Sequence, residues 1–351
     1  MKIAYFVSSH GFGHISRSFE IIKEFLQNNC TIHLYTGRLE FLESYNHPNL
    51  YKTNLRTDVG IIQNNSIDMD LEKTKEALIG LEKEKEGLVK IMEDSLLSFS
   101  PDCIVSDISS LPFVVANKMK IPAYFVGNFT WDFIYNHYSI QDIYFKEYAK
   151  KVSSEYNLST YGYVLPFQCP IDSISKTEEI GLVGRMPEKS RKEVRESLGF
   201  HDNFKYILFS FGAYGLDPNM FKFGNLNPYY KIVISGLVGF ESSNVLHIHN
   251  IFYPDLLHAC DAVLTKPGYG ILAESYFSNT PIIYTDRGDF IEYTYLVSAM
   301  EEYHNATYLT NEDLYSFNLK SSIERIEKNT QKPLKKLENG ISNFVKRFLN
   351  T

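Results

Sequence analysis

KIAYFVSSHGFGHISRSFEIIKEFLQNNCTIHLYT, residues 2–36, decides the architecture. Lys2–Val7 is a short apolar run that reads as a buried strand, and Ser8–Gly13 is a glycine loop. From His14 to Gln27, the residues Ile15, Phe19, Ile22, Phe25 and Leu26 recur on one helical stripe, and Thr31–Tyr35 reads as a second strand. Strand, loop, helix and strand make a βαβ unit, which predicts a parallel sheet.

The same alternation continues along the chain. Leu71–Phe99 is a long charged amphipathic helix that Gly80 and Gly87 are expected to weaken or bend. Pro101 ends it, and Cys103–Val105 and Ala123–Val126 follow as strands. Pro166, Pro170, Gly181, Gly184 and Pro187 cluster where a first domain, 1–170, gives way to a second, 171–351. In the second domain Tyr206–Phe211, Tyr230–Ile234, Val245–Ile248, Ala262–Leu264 and Ile282–Tyr284 read as strands, with helices at Gly270–Phe277 and Phe290–Glu302. Pro333–Leu349 reads as a Lys-rich amphipathic helix, expected to pack back on the first domain. The fold class is therefore α/β, with two Rossmann-like domains whose parallel sheets face a central cleft. In such sheets ligands bind at the carboxyl ends of the strands.

Composition narrows the function. The 351 residues carry 35 basic and 42 acidic side chains, a net charge of −7, so no nucleic-acid partner is expected. No stretch approaches the roughly 18 apolar residues of a membrane span. Cys30, Cys103, Cys169 and Cys260 are widely spaced and form no CxxC or zinc pattern; Cys30 and Cys103 fall in apolar strand-like runs and read as reduced, buried thiols of a cytoplasmic protein.

Four loops carry chemistry. In Ser8–His14, Gly11 and Gly13 permit a tight turn into a helix whose free N–H groups suit an anion. A dinucleotide fingerprint needs glycine where Ser16 stands, which disfavours NAD. By position alone His14 reads as a helix-start residue bonding locally. Phe209–Gly215 supplies a second small-residue loop, Gly212, Ala213 and Tyr214, suited to phosphate. Lys266–Glu274 is a glycine turn, with Gly268, Tyr269 and Gly270, leading into a helix. Its Glu274 either grips a ribose diol or is an ordinary first-turn acid. Asp286–Tyr293 places Arg287, Asp289, Phe290 and Glu292 after another strand; Asp289 alternatively reads as a helix N-cap. Asp68-Met69-Asp70 matches a metal-binding DxD but opens a charged helix, so it reads as helix-start acids.

HGFGHISRS (10–18), PDCIVSD (101–107), GNFTWDFIYNHY (127–138), EKSRKEVRESLG (188–199) and KPGYGILAESYFSNTPIIYTDRGDFIEYTYL (266–296) together resemble the MurG-like GT-B glycosyltransferases. They are most similar to the N-terminal, glycosyltransferase-like half of plant L-arabinokinase and its bacterial relatives. The resemblance implies the GT-B fold and metal-independent transfer of a sugar from a nucleotide-sugar donor, UDP-linked, to an acceptor, with no further cofactor. A nucleotide-sugar hydrolase and a non-catalytic nucleotide-sugar binding module are the alternatives.

The resemblance also implies roles. Glu274 falls on the family's ribose-binding residue and Gly212–Tyr214 on its phosphate loop. Gly11, Phe12 and Gly13 meet diphosphate or acceptor across the cleft, and Arg17, Asn128 and Trp131 join the substrate-binding set. His14 or Asp132 is the expected base, and Lys266 and Arg287 are the expected stabilisers of the leaving diphosphate.

Overall fold

The structure, a computed structural model, describes residues 1–212, 216–222, 226–236, 239–240, 242–329 and 334–350. It contains two wholly parallel sheets. The first holds β1 (Lys2–Val7), β2 (Thr31–Thr36), β3 (Leu50–Asn54), β4 (Cys103–Asp107), β5 (Ala123–Gly127), β6 (Tyr161–Val164) and β7 (Thr177–Glu179) in the order β3-β2-β1-β4-β5-β6-β7. The second holds β8 (Lys205–Ser210), β9 (Tyr230–Ile234), β10 (Val245–His247), β11 (Ala262–Thr265), β12 (Ile282–Tyr284) and β13 (Ala306–Tyr308) in the order β10-β9-β8-β11-β12-β13. Helices cover both faces, which is why Ile3–Val7 and the whole of β4 are buried without alternation.

The Gly13–Gln27 helix buries Ile15, Phe19, Ile22, Phe25 and Leu26. Leu71–Phe99 is one uninterrupted helix, capped by Asp70, whose side chain accepts from the Lys73 amide. Gly80 and Gly87 do not break it: each faces open space, and Leu78, Met92 and Leu96 on the buried side hold it to the core.

Two features differ from the sequence reading. β7 pairs with β6, so the first sheet extends past residue 170 to Glu179. The last helix begins at Ile341; residues 334–340 form no helix, and 338–340 pair with the chain leaving the first sheet. There Leu182 donates its amide to the Glu338 carbonyl at 2.8 Å and accepts from the Gly340 amide at 2.9 Å. The approach requires glycine on both sides, since a Cβ on Gly181 would lie 2.5 Å from the Glu338 oxygen and one on Gly340 2.3 Å from the Gly181 oxygen. The Ile341–Leu349 helix then packs on the first domain, with Phe344 and Phe348 against Phe25 and Tyr163.

The carboxyl ends of β1, β4 and β5 face those of β8, β11 and β12. A cavity of about 200 Å³, open on one side to solvent, lies between them. Among the described residues no helix is long and apolar enough to cross a membrane.

Candidate active site

Two helices start at the floor of the cavity. The Gly13–Gln27 helix follows the glycine loop, and the Tyr269–Ser278 helix follows Gly268. Neither has a side-chain cap or an acid in its first turn, so their first N–H groups keep a positive field. A Cβ on Gly270 would lie 3.5 Å from the Gly13 Cα, so the two starts meet at van der Waals distance. Gly11, Phe12, Gly13, Gly212, Gly268, Tyr269 and Gly270 all line the cavity. Ala213 and Tyr214 lie outside the described residues.

His14 also lines the cavity. Its Nδ1 is 3.0 Å from Asp107 Oδ1 at the end of β4. The same Nδ1 lies 3.1 Å from Arg17 Nη2, so it can meet the carboxylate as an N–H or the guanidinium as a lone pair; with the proton on Nδ1, toward Asp107, Nε2 on the far side of the ring carries the lone pair. Asp107 also accepts from Arg17 Nε at 2.9 Å, Arg17 Nη2 at 2.8 Å and Ser18 Oγ at 2.6 Å. Burial alone would raise the Asp107 carboxyl, but Arg17, by charge and hydrogen bond, and His14 hold it well below the usual carboxylate range.

Arg17 is 2% exposed, and its work is done inside the protein. Its Nη1 donates to Asn128 Oδ1 at 2.7 Å, and its guanidinium lies 4.9 Å from the Tyr269 ring centre. Asn128 Nδ2 in turn donates to Glu292 Oε1 at 2.7 Å, and Glu292 Oε2 accepts from Arg287 Nη1 at 2.6 Å. One chain of hydrogen bonds thus runs from His14 in the first domain to Arg287 in the second.

The cavity wall is cationic. Arg287 lies 4.3 Å from the Phe290 ring centre, and its Nε is buried with no hydrogen-bond partner among the described residues. Burial and the Arg287 charge pull the Lys266 ammonium down to about 7; its Nζ donates to Gln63 Oε1 at 3.2 Å. Burial, then the charges of His14, Arg287, Lys266 and Arg38, push the His10 imidazole well below its ordinary value. Its ring is parallel to Phe290 and edge-on to Trp131. Such a wall favours a ligand with concentrated negative charge.

Four expected site residues lie elsewhere. Asp132 borders a separate surface depression with Lys146 and Lys150; it accepts from Ser173 Oγ at 3.2 Å, and burial raises its carboxyl. Its helix, Trp131–His137, turns it away from the cavity. Trp131 is buried behind His10, its Nε1 donating to Asp58 Oδ2 at 3.0 Å. Asp289 neither caps the next helix, which starts at Glu292 after Ile291, nor enters the cavity; it accepts from His137 Nε2 at 2.6 Å and Gln141 Nε2 at 3.2 Å across the domains. Glu274 is buried beside the cavity and accepts from Arg185 Nε at 2.6 Å.

Asp107, Gln63 and Arg185 are site features that sequence reasoning passes over. Only Asp107 carries a local signal, an acid closing an otherwise apolar strand.

No family model matches the chain. It is 27% identical over 327 residues to L-arabinokinase of Arabidopsis thaliana, a match covering 90% of this chain and 31% of that protein. The chain thus spans about a third of that relative's length. Among solved structures it is similar to Arabidopsis thaliana UGT89C1 complexed with UDP (TM-score 0.67, 12% identity, 99% of this chain and 98% of that one). The complex of the same protein with UDP-L-rhamnose superposes with a TM-score of 0.64, at 12% identity over 99% and 98% of the chains. The glycosyltransferase SnogD from Streptomyces nogalater gives 0.59, at 14% identity over 100% and 99%. The fold is GT-B, as the glycine loops and strand order imply.

Proposed function

We propose that the chain is a GT-B glycosyltransferase that moves a sugar from a nucleotide sugar, UDP-linked, to an acceptor hydroxyl without a metal ion. The observation that carries this reading is the His14–Asp107 pair, 3.0 Å apart, set against two uncapped helix starts and the Lys266 and Arg287 cations.

Each group has a role in that chemistry. His14 Nε2 takes the proton of the acceptor oxygen as that oxygen bonds to the anomeric carbon. Asp107 fixes the ring tautomer and steadies the imidazolium that forms. The bond from the anomeric carbon to the diphosphate oxygen breaks, and its electron pair leaves with the nucleoside diphosphate. The N–H groups of the Tyr269–Ser278 helix, Lys266 and Arg287 receive that charge. The cations take the place a metal fills elsewhere. Asp70 is committed to capping its helix and to Lys73, and Asp68 to Asn64, so the DxD stretch is engaged away from the cavity. UGT89C1, with its UDP and UDP-L-rhamnose complexes, supports the choice of UDP.

The test is incubation with a panel of UDP-sugars and hydroxylic acceptors in excess EDTA, following both UDP release and glycoside formation. Acceptor-dependent glycoside is the expected result. UDP released at a rate that no acceptor raises makes the chain a hydrolase. Activity that stops with EDTA and returns with magnesium or manganese overturns the metal-free mechanism.

A further inference from the structure

Arg185 sits on the chain that leaves the first sheet for the second. Its guanidinium is ringed by Phe41 of the first domain and by Phe252 and Tyr253 of the second, 5.6–5.9 Å from each ring centre. The fourth wall is Glu274, with a side chain 5% exposed, against 18% for Arg185. This box continues the cavity. Glu274 is one turn beyond Ile271, which lines the cavity, on the same helix face. Tyr253 Oη is 2.5 Å from Ser210 Oγ, and Phe41 lies beside Phe12; Ser210 and Phe12 both line the cavity.

The two arginines differ in how they are held. Arg17 donates three hydrogen bonds to Asp107 and Asn128. Among the described residues Arg185 donates one, from Nε, out of the five N–H groups a guanidinium offers. Arg185 is only partly buried, so its N–H groups without a protein acceptor can be hydrated, and little besides the Glu274 bond ties its head group in place. It fills the box as a flat, stackable group with one bond to a carboxylate. A nucleoside offers the same pair of features, a flat base for the rings and a vicinal diol for Glu274.

We propose that Arg185 is a specificity-determining residue: it keeps the outer end of the cavity closed until a ribonucleotide supplies a base to the rings and a diol to Glu274, and it then swings out to solvent. The proposal rests on the nucleotide-sugar reading above. A ligand bearing only a diphosphate gains nothing from the exchange, so free pyrophosphate and sugar phosphates meet a closed box. If the open state holds about 1–10% of the free protein, wild-type affinity for a nucleotide is reduced about 10–100-fold by that fraction.

The experiment is calorimetric titration of wild type and Arg185→Met with UDP, GDP, ADP, CDP and inorganic pyrophosphate. The expected result is at least one nucleoside diphosphate bound about 10–100-fold more tightly by the variant, with pyrophosphate changed less than twofold. Unchanged or weaker nucleotide binding, or equal tightening of pyrophosphate, overturns the exchange and leaves the donor reading standing. Binding of none of the four nucleotides by either protein overturns both. In wild type, arginine-selective dicarbonyl labelling gives a second readout that needs no variant. Nucleotide is expected to speed modification of Arg185; protection of Arg185 overturns the exchange.

Discussion

His14 Nδ1 and Asp107 Oδ1 lie 3.0 Å apart, although 93 residues separate them in the chain. With the ring proton on Nδ1, toward Asp107, Nε2 is the nitrogen that can take a proton. In Asp107→Asn the carboxamide can present its NH2 to Nδ1, which moves the ring proton to Nε2. Turnover is expected to fall on the order of 10²–10⁴-fold, with donor affinity within a few-fold of wild type. Arg17 also loses its counter-charge, a change that typically costs about 3–5 kcal/mol. Thermal melts beside single-turnover rates separate the two effects. Wild-type turnover per folded molecule removes Asp107 from the mechanism.

His14→Ala deletes the base and leaves the second-domain phosphate groups in place. The rate of glycoside formation is expected to drop about 10²–10⁴-fold, while UDP titration shows little change. A helix-start histidine with a structural role only gives the opposite pattern, lower stability and intact turnover.

Lys266 gives the cavity a pH response. Its ammonium titrates near 7, and a bound diphosphate favours the charged form and so raises that value. Affinity is therefore full below about pH 7 and falls as pH rises, by at most about tenfold per unit, until the pKa of the complex is passed. Calorimetry from pH 6 to 9 reads the slope. Lys266→Met is expected to lower affinity at pH 6 and to flatten the profile; an unflattened profile assigns the titration to another group.

Asn128 is the joint between the domains, accepting from Arg17 and donating to Glu292. Asn128→Ala leaves two charged groups each short of a partner, typically about 1–3 kcal/mol apiece. Asn128→Asp is expected to be worse, because it sets a second carboxylate against Glu292. X-ray scattering reports the closed fraction: a larger radius of gyration for Asn128→Asp than for wild type is expected, and identical profiles deny Asn128 a role in closure.

The Lys2–Val7 strand and the Gly13–Gln27 helix are legible in the sequence because apolar period and glycine position agree there. β7, Thr-Glu-Glu, and β13, Ala-Thr-Tyr, are not: each is three residues long at a sheet edge, where one neighbouring strand and little burial leave no pattern. At the site, glycines and helix starts announce themselves locally. What each polar side chain touches does not. Glu274 looks the same in sequence whether it meets a ligand or Arg185, 89 residues away. Asp132, in a distinctive stretch, faces the opposite way because one helical turn rotates neighbours by about 100° per residue.

The paired backbone crossing at Gly181 and Gly340 sets how the cleft can open. Two chain segments, laid side by side and hydrogen-bonded, behave as a leaf hinge. Such a ribbon bends readily across its width but resists twisting and sliding, which would tear the Leu182 pairing. Gly13 against Gly270 and Asn128 against Glu292 span the same cleft, so any bending about this ribbon parts both contacts together.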